Sequence, residues 1–503
     1  AAAEAKVAPA AAEPAAAAEE PAGAEGAPAA AEVENFTHGI SGVETYHWPM
    51  QKGDLRRTGY SPHKVERYFQ KPPYCTFQDP FLDVVRSTPL IDDKLNIYWS
   101  TISGKVYKMT SQDCELKWVY DTGGGGAYGR GGISMVPSLY EGHVLILTKR
   151  AWLILIDMET GREAFSKQVA GRAANDCYNV FVYNRTFVIP AVADAEVFHP
   201  DPRNKIIYGY EPRTGERLWS FEPDAPTYNF QASTPEDGTI VFQDLSGGVY
   251  RIGLYDGKLI WRSGVRETFF FTTAATVIEN GIVYVMSNYY GTGALHTYKL
   301  ETGEPLWSKA LPYEANQAVA VGKLWPNRPP AVVLGVGTNP SFAVPMQWGA
   351  YPVWVQLVVH RVSLLFPKWF SKPLPRAMMA FDAATGNELW RFEMEPFHKP
   401  ACEGDNEYYW ERAAIAQVNP DADHICLPDS CSQPIIGGDG TAYAGWEDGR
   451  VWAVRDDDGN GYIDPVREVS SFDFKHAFQG SLAMAPGMLV AAPCGGGVWV
   501  FKN

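Results

Sequence analysis

One short sequence recurs along the 503-residue chain and constrains its fold more than any other feature. Its fullest copy, AFDAATGNELW, spans residues 380–390. Each copy places a turn between two short apolar runs, and an aromatic residue follows the turn glycine by four positions. Glycine accepts the positive φ that tight turns need, so each copy predicts a β-hairpin. Cys114 replaces this glycine in the first copy. The aromatic residues are Trp118, Phe165, Trp219, Trp261, Trp307 and Trp390.

The spacing of these aromatic residues favours blades over a helical repeat. Apart from one longer gap after Trp307, they lie roughly 40 to 55 residues apart, the period of a four-stranded blade. A blade cannot bury both faces alone, and a large aromatic ring suits the space between neighbouring blades. We therefore predict an all-β fold for residues 45–503: an eight-bladed β-propeller, with seven blades as the alternative. The six aromatic residues are predicted to dock each blade against the next.

The fullest copy also carries a resemblance to a known family. Ala380, Asp382, Thr385, Gly386 and Trp390 match the Ala-x-Asp-x-x-Thr-Gly-x-x-x-Trp pattern of the pyrroloquinoline quinone (PQQ)-like repeat family. The resemblance extends over about residues 45–503, and WPMQKGDLRRTGYSP, from Trp48, looks like the segment that commonly precedes the first blade. It implies a ring of eight blades. We expect a strand from near the N-terminus to complete the last blade, which leaves no free sheet edge at the closure.

The same family includes quinone-dependent alcohol dehydrogenases, so the resemblance alone does not decide function. If this chain were such an enzyme, the resemblance implies that its quinone would lie on the propeller axis. The quinone would be held between a tryptophan floor and two adjacent, disulfide-bonded cysteines. The seven cysteines here are all dispersed, at positions 75, 114, 177, 402, 426, 431 and 494. No Glu, Asn and Asp set that would hold calcium beside a quinone can be assigned. We therefore expect no PQQ and assign no catalytic residue.

Residues 456–464, DDDGNGYID, predict a metal site. Oxygen donors at alternate positions, with glycine in the sixth place, match the first nine places of an EF-hand calcium loop. The twelfth place, where glutamate normally closes the calcium shell, is Arg467, and Glu468 follows one place later. The alternative is a solvated acidic turn. The predicted calcium ligands are Asp456, Asp458, Asn460, the backbone carbonyl of Tyr462, and Asp464.

Residues 339–376 read as an apolar insertion into a blade. Residues 352–366 are predicted to be helical, with Gln356, His360 and Ser363 forming one narrow polar line. Aromatic and basic residues surround this helix, as at membrane interfaces. Arg361 and the polar line disfavour a membrane-spanning helix. The predicted partner or membrane contacts are Trp348, Trp354, Leu357, Val358, Leu364, Leu365, Phe366 and Trp369.

Three interpretations of this insertion stay open: a protein-binding surface, a lipid interface, and a private cap folded over the propeller rim. A second elaboration, residues 396–434, is predicted to decorate a blade edge or rim. It contains Cys402, Cys426 and Cys431 and is a candidate for a disulfide.

The remaining composition sets limits on partners and compartment. Residues 1–44 are predicted to be a disordered tail, because most of them are Ala, Pro, Glu and Gly. The formal charge of −15 and the lack of a basic run argue against a nucleic-acid partner. The chain begins with Ala, so we expect either a removed targeting segment or a partial sequence. An extracytoplasmic location is expected, such as a periplasm, a secretory space or an organelle lumen, including a thylakoid lumen.

These features predict a non-catalytic propeller scaffold that mediates protein–protein interaction. It would be a peripheral subunit or assembly factor of a larger, membrane-associated complex. One alternative is a PQQ-dependent dehydrogenase acting on alcohols or sugars. Another is a propeller that binds a small ligand in its axial funnel.

Overall fold

The computed structural model describes residues 46–503 with interruptions. The interruptions are residues 66, 80–82, 125–128, 134, 174–179, 193–205, 228–229, 265–274, 290, 339, 341–351, 371, 400, 406, 409–425 and 427–429. The predicted tail, residues 1–44, and Trp348 lie outside the described residues.

Eight antiparallel sheets follow one another along the described chain, each forming one blade of a β-propeller. Strand β1 (Cys75–Gln78) precedes the first blade. The first blade contains β2 (Leu90–Ile91), β3 (Asn96–Ser100), β4 (Lys105–Thr110) and β5 (Leu116–Asp121). The second contains β6 (Ser138–Tyr140), β7 (His143–Leu147), β8 (Trp152–Asp157) and β9 (Glu163–Gln168). The third contains β10 (Arg172–Ala173), β11 (Phe181–Tyr183), β12 (Thr186–Val192), β13 (Ile207–Tyr210) and β14 (Arg217–Phe221).

The fourth blade contains β15 (Thr239–Gln243), β16 (Val249–Gly253) and β17 (Leu259–Ser263), and a bridge between Ser233 and Val241 extends its inner side. The fifth contains β18 (Val277–Glu279), β19 (Ile282–Tyr289), β20 (Thr292–Lys299) and β21 (Pro305–Leu311). The sixth contains β22 (Ala320–Gly322), β23 (Ala331–Gly337), β24 (Leu374–Asp382) and β25 (Glu388–Phe397), with helices α1 (Val353–Leu365) and α2 (Pro367–Phe370) between β23 and β24. The seventh contains β26 (Ile435–Ile436), β27 (Ala442–Gly445), β28 (Arg450–Val454) and β29 (Val469–Asp473).

The eighth blade closes the ring with a strand from the other end of the chain. Its own strands are β30 (Ala483–Ala485), β31 (Met488–Ala491) and β32 (Gly497–Lys502), and β1 pairs antiparallel with β32. A disulfide joins Cys75 of β1 to Cys114 in the first blade. Cys114 has a φ of +55°, so cysteine occupies the left-handed position that glycine fills in the other turns. The fold is all-β with eight blades rather than seven, and the N-terminal closing strand is confirmed.

The repeated sequence encodes a hydrogen-bonded turn before each outer strand. In the sixth blade, Oδ1 of Asp382 accepts hydrogen bonds from the backbone N–H and the hydroxyl of Thr385, both at 2.8 Å. The N–H of Gly386 donates to the carbonyl of Asp382 at 2.9 Å. Asp157 and Thr160 form the same side-chain contacts in the second blade. Aspartate and threonine therefore recur because they satisfy the donors of a tight turn.

The aromatic ring after each turn lies against a glycine of the next blade in four junctions. A Cβ atom at Gly257 would lie 2.7 Å from the Trp219 ring, and one at Gly303 would lie 2.8 Å from the Trp261 ring. The indole N–H groups donate to backbone carbonyls of the same turns, at 2.8 Å for Trp219 and 2.9 Å for Trp261. Glycine is thus needed twice, for its positive φ and for the space that the ring occupies. The other two junctions of this kind are Trp118 with Gly161 and Trp307 with Gly386.

Two junctions differ from this arrangement. The smaller Phe165 is half-buried, and the glycine of the following turn, Gly215, faces Lys167 and Val169 instead. Trp390 is 2% exposed, but the blade after it carries the acidic loop where the others have a glycine turn. The six positions are therefore not equivalent in their surroundings.

A single segment, residues 46–65, connects the inner sides of six blades; we call it the axial segment. Its backbone meets successive blades in chain order: Trp48 pairs with Ile91, and the carbonyl of Pro49 accepts from Leu139. Further along, the carbonyls of Leu55, Arg56, Thr58, Gly59 and His63 accept from Thr234, Ile278, Val321, Ile436 and Gly438 in the fourth to seventh blades. The innermost strands are otherwise edge strands with unpaired donors, so this segment supplies their missing partners.

We predict that Trp219→Ala and Trp261→Ala each lower the free energy of unfolding by about 3–5 kcal/mol, the range for large-to-small aromatic changes in a core. Trp354→Ala is the matched control, because that tryptophan is 69% exposed; it should change stability by less than about 0.5 kcal/mol. Denaturant unfolding of the three variants measures this. A loss below about 1 kcal/mol at Trp219 or Trp261 would contradict a docking role there.

We also predict that Cys75→Ser destabilises the ring by roughly 2–4 kcal/mol, because the disulfide closes the propeller between its last and first blades. Reduction should lower the melting temperature of the wild type and have a smaller effect on the variant, which retains the second disulfide. Peptide mapping without reductant should recover the Cys75–Cys114 pair. A different pairing would contradict the closure described here.

Candidate functional site

The predicted metal loop connects β28 and β29 of the seventh blade. It begins with Asp456, whose side chain is buried and accepts backbone N–H groups at both oxygens: Gly459 at 2.7 Å and Gly461 at 3.0 Å. Gly459 and Gly461 have φ of +70° and +83°, which lets the backbone curl around this carboxylate. The loop is therefore folded around Asp456 by its own glycines.

Glu468 reaches back into this loop, although it lies one place beyond the usual closing position. Its two carboxylate oxygens accept the N–H groups of Asp457 at 2.6 Å and Asp464 at 2.8 Å. Carboxylate oxygens of Asp456, Asp458 and Glu468 lie within 4.8 Å of one another. The structure thus brings the predicted ligands Asp456 and Asp458 together. Glu468 lies beside them and takes the place that Arg467, as a cation, could not fill.

The other predicted ligands have different contacts. Oδ1 of Asn460 accepts from the N–H of Tyr462 at 2.7 Å, and Oδ1 of Asp464 accepts from the N–H of Val466 at 2.8 Å. The Tyr462 side chain is exposed, and its residue forms an isolated bridge with Arg391 of the sixth blade. Asp464 is therefore not part of the cluster of three carboxylates that Asp456, Asp458 and Glu468 form.

Asp457 has basic partners, unlike the three clustered carboxylates of Asp456, Asp458 and Glu468. Asp457 forms salt bridges with Arg67 and, at 3.2 Å, with Arg455. Within the described residues, no salt bridge reaches Asp456, Asp458 or Glu468. Burial raises the pKa of Asp456, and the neighbouring Glu468 raises it further. Clustered carboxylates without a cation repel one another, and carboxylate oxygens are the donors that calcium prefers, so these residues fit a calcium ion.

The propeller axis contains polar side chains of the chain itself. Gln433, before the inner strand of the seventh blade, donates from Nε2 to Oε1 of Gln231 in the fourth blade at 2.8 Å. Lys52 and Arg57 of the axial segment are fully buried, and they donate to the carbonyls of Pro434 and, at 3.0 Å, Ala232. Burial lowers the pKa of Lys52 to about 7 and that of Arg57 to about 9. At this level, side chains from the fourth and seventh blades are hydrogen-bonded to each other across the ring.

These residues do not reproduce the quinone pocket that the resemblance implies. The sequence has no adjacent cysteine pair. Both disulfides of the described residues join cysteines far apart in sequence: Cys75 with Cys114, and Cys426 with Cys494. The absence of PQQ nevertheless stays a prediction.

The apolar insertion contains the two helices of the sixth blade. The predicted helix is present as α1, and β24 begins at Leu374, so the insertion ends before Leu374 rather than at Arg376. No helix of the described residues is long and apolar enough to cross a membrane. The side chains of Leu357 and Leu364 lie outside the described part of the structure. The exposed side chains are Trp354 (69%), Val358 (55%), Leu365 (72%), Phe366 (47%) and Trp369 (80%).

The second elaboration is tied to the last blade. Cys426 forms its disulfide with Cys494 of the eighth blade, and Cys402 and Cys431 are also buried. The disulfide of the elaboration therefore joins it to the eighth blade instead of linking two of its own cysteines. Asp405, also buried, accepts the N–H of Cys426 at 2.7 Å and holds this part of the elaboration in place.

The eight sheets define the described chain as an eight-bladed β-propeller, and its repeats are similar to those of PQQ-like repeat proteins. A family model described as outer membrane protein assembly factor BamB matches residues 129–325. No curated protein matches the chain in sequence.

Several solved structures share the fold at low sequence identity. BamB from Moraxella catarrhalis is 14% identical, with a TM-score of 0.54, over 86% of this chain and 99% of that one. Quinohemoprotein alcohol dehydrogenase from Comamonas testosteroni is 11% identical, with a TM-score of 0.58, over 90% and 80%. A europium-containing methanol dehydrogenase is 12% identical, with a TM-score of 0.58, over 91% and 98%. At such identities the likeness shows the fold alone.

We predict that calcium stabilises the metal-free protein, by roughly 2.7 kcal/mol at about one hundred times its dissociation constant. Asp458→Asn should remove most of this gain, because it deletes one of the three grouped carboxylates. Asp457→Asn is the matched control: it lies in the same loop but pairs with Arg67, so its calcium response should persist. Melting temperatures across a calcium titration measure both. An unchanged wild-type melting temperature would leave only an acidic turn.

Proposed function

We propose that this protein is a non-catalytic propeller scaffold, acting as a peripheral subunit or assembly factor of a larger, membrane-associated complex. The observation that carries the proposal is the exposed apolar surface of α1 and α2, which we call the helical surface. Trp354, Leu365 and Trp369 are each more than two-thirds exposed. Large apolar patches on a folded protein normally mark an interaction site.

The axis supports a scaffold over an enzyme. Catalysis in a propeller needs an accessible pocket with converging reactive groups. Here Gln231 and Gln433 bond across the axis, and Lys52 and Arg57 are buried and bonded to backbone carbonyls. These contacts hold the blades together, so the two glutamines, Lys52 and Arg57 serve in the packing of the propeller. The match of residues 129–325 to an assembly-factor model agrees with a scaffold, whereas the dehydrogenase neighbours share only the fold.

An extracytoplasmic location is part of the proposal. Two disulfides link cysteines that are 39 and 68 residues apart: one joins the closing strand β1 to the first blade, and the other joins the second elaboration to the eighth blade. Such structural disulfides persist in oxidising compartments. A calcium ion at the acidic loop would also suit a calcium-rich compartment.

The test is to remove the insertion without touching the blade. Gly337 and Arg376 are directly paired across β23 and β24, so residues 340–372 can be replaced by a short Gly-Ser turn. Arg376 must stay, because it forms an ion pair with Asp448 at 2.9 Å. We expect a folded propeller that no longer co-purifies with its native complex.

The control for this experiment is Leu259→Glu, on the outer strand of the fourth blade, where a 52% exposed leucine lies away from the insertion. This variant should co-purify normally. A folded deletion variant that still co-purifies would place the interaction elsewhere and contradict the proposed surface. PQQ- and calcium-dependent reduction of an artificial electron acceptor by alcohols or sugars would instead support the dehydrogenase alternative.

A further inference from the structure

We infer that the helical surface binds the interface of an anionic lipid bilayer, with α1 lying flat among the headgroups. This inference rests on the proposed function and names what covers the exposed helices. It follows from three properties of the insertion: the direction of the apolar face, the aromatic residues at its end, and the charge of the segment.

The apolar face of α1 points away from the protein. With about 100° per residue, Trp354, Val358 and Leu365 fall within roughly 40° of one another around the helix. All three are more than half exposed. Ser363, nine residues after Trp354, lies on the opposite side and is fully buried. The helix therefore turns a small polar residue inward while Trp354, Val358 and Leu365 face outward, the reverse of an ordinary surface helix.

Aromatic residues extend this face beyond the end of α1. The rings of Phe366 and Trp369 stack, with centroids 5.0 Å apart, and both residues are exposed. Val362, also exposed, lies on the same side one turn before Phe366. Tryptophan is enriched where a protein meets the headgroup region, because its ring is apolar and its N–H can remain hydrated.

The charge of the insertion is opposite to that of the rest of the chain. Residues 339–373 contain no aspartate or glutamate, although the chain has 58 acidic residues and a formal charge of −15. The three basic residues of the segment are Arg361, Lys368 and Lys372. Arg361 and Lys372 are exposed. A locally cationic, acid-free patch on an acidic protein is complementary to anionic headgroups.

Arg361 has the position expected for an interfacial helix. It is seven residues after Trp354, which places it about 20° from that tryptophan at the margin of the apolar face. A long basic side chain there can reach phosphate groups while its methylenes stay with the apolar residues. At 13 residues, α1 is too short to span a bilayer but long enough to lie in its interface.

The experiment is flotation of the full chain with two kinds of vesicles: phosphatidylcholine alone, and phosphatidylcholine with about one third phosphatidylglycerol. We expect binding to the anionic vesicles that is at least about tenfold stronger than to the neutral ones and weakens with salt. Trp354→Glu combined with Trp369→Glu should reduce binding by about tenfold or more. Arg361→Gln combined with Lys372→Gln should selectively reduce the preference for anionic vesicles.

The matched control is Leu259→Glu combined with Ile260→Glu, two residues that are 52% and 50% exposed on the fourth blade. This variant should bind vesicles like the wild type, and all variants should melt cooperatively. Loss of binding in this control, or binding that survives the tryptophan substitutions, would overturn the inference.

Three further outcomes separate this inference from the proposed function. If vesicles do not bind but removal of residues 340–372 still abolishes the native complex, the lipid inference fails and the scaffold stands. If vesicles bind through the tryptophans but no complex depends on the insertion, the scaffold fails and the lipid inference stands. A concentration-dependent dimer in sedimentation, lost with Trp354→Glu and accompanied by no vesicle binding, would assign the surface to a second copy.

Discussion

Backbone hydrogen bonds from the axial segment join six of the eight blades at their inner sides. The innermost strand of a blade is an edge strand, and its donors and acceptors would be unpaired in a ring of independent blades. Residues 46–65 meet six of the blades in chain order, and Lys52 and Arg57 add side-chain hydrogen bonds to the carbonyls of Pro434 and Ala232. The cost is two buried cations with lowered pKa values. The axial segment therefore gains backbone hydrogen bonds to six blades, at the cost of removing the Lys52 and Arg57 side chains from water.

The outer parts of the blades depend on a different contact, the aromatic ring of one blade against the turn of the next. This contact tolerates variation: Phe165 replaces tryptophan at one junction, and the acidic loop replaces the glycine turn after Trp390. In that position the loop gains support from the sixth blade, since Trp325 donates to the carbonyl of Asp456 at 2.8 Å and Arg328 to that of Gly459 at 3.1 Å. A bound ion would thus brace a blade junction rather than a catalytic centre.

The two candidate functional features are both extensions of hairpins. The acidic loop lengthens the β28–β29 connection, and the helical surface lengthens the β23–β24 connection. Because Gly337 and Arg376 remain paired at the base of the insertion, the helices leave the sheet undisturbed. A propeller can therefore acquire a surface of opposite charge and polarity without a change in its core. That separation is why the insertion can be tested by deletion.

The sequence by itself determined the repeat, the turn chemistry and the class of fold. The Asp-x-x-Thr-Gly turn and the following aromatic residue are local, so their pattern is readable without knowledge of distant contacts. The closing strand was also predictable, since a ring that ends in a free edge is unfavourable. The same locality made α1 recognisable from its apolar run.

Only the tertiary structure decided the features that depend on residues far apart in the chain. The path of the axial segment across successive blades, the Gln231–Gln433 bond and the Cys426–Cys494 disulfide have no local signal. A count of residues along the loop does not identify Glu468 as a ligand, because its carboxylate reaches the loop only through the turn at residues 465–468. The outward direction of Trp354 follows from the burial of Ser363 on the opposite side. Periodicity shows that a helix has two faces, but only packing decides which one meets the protein.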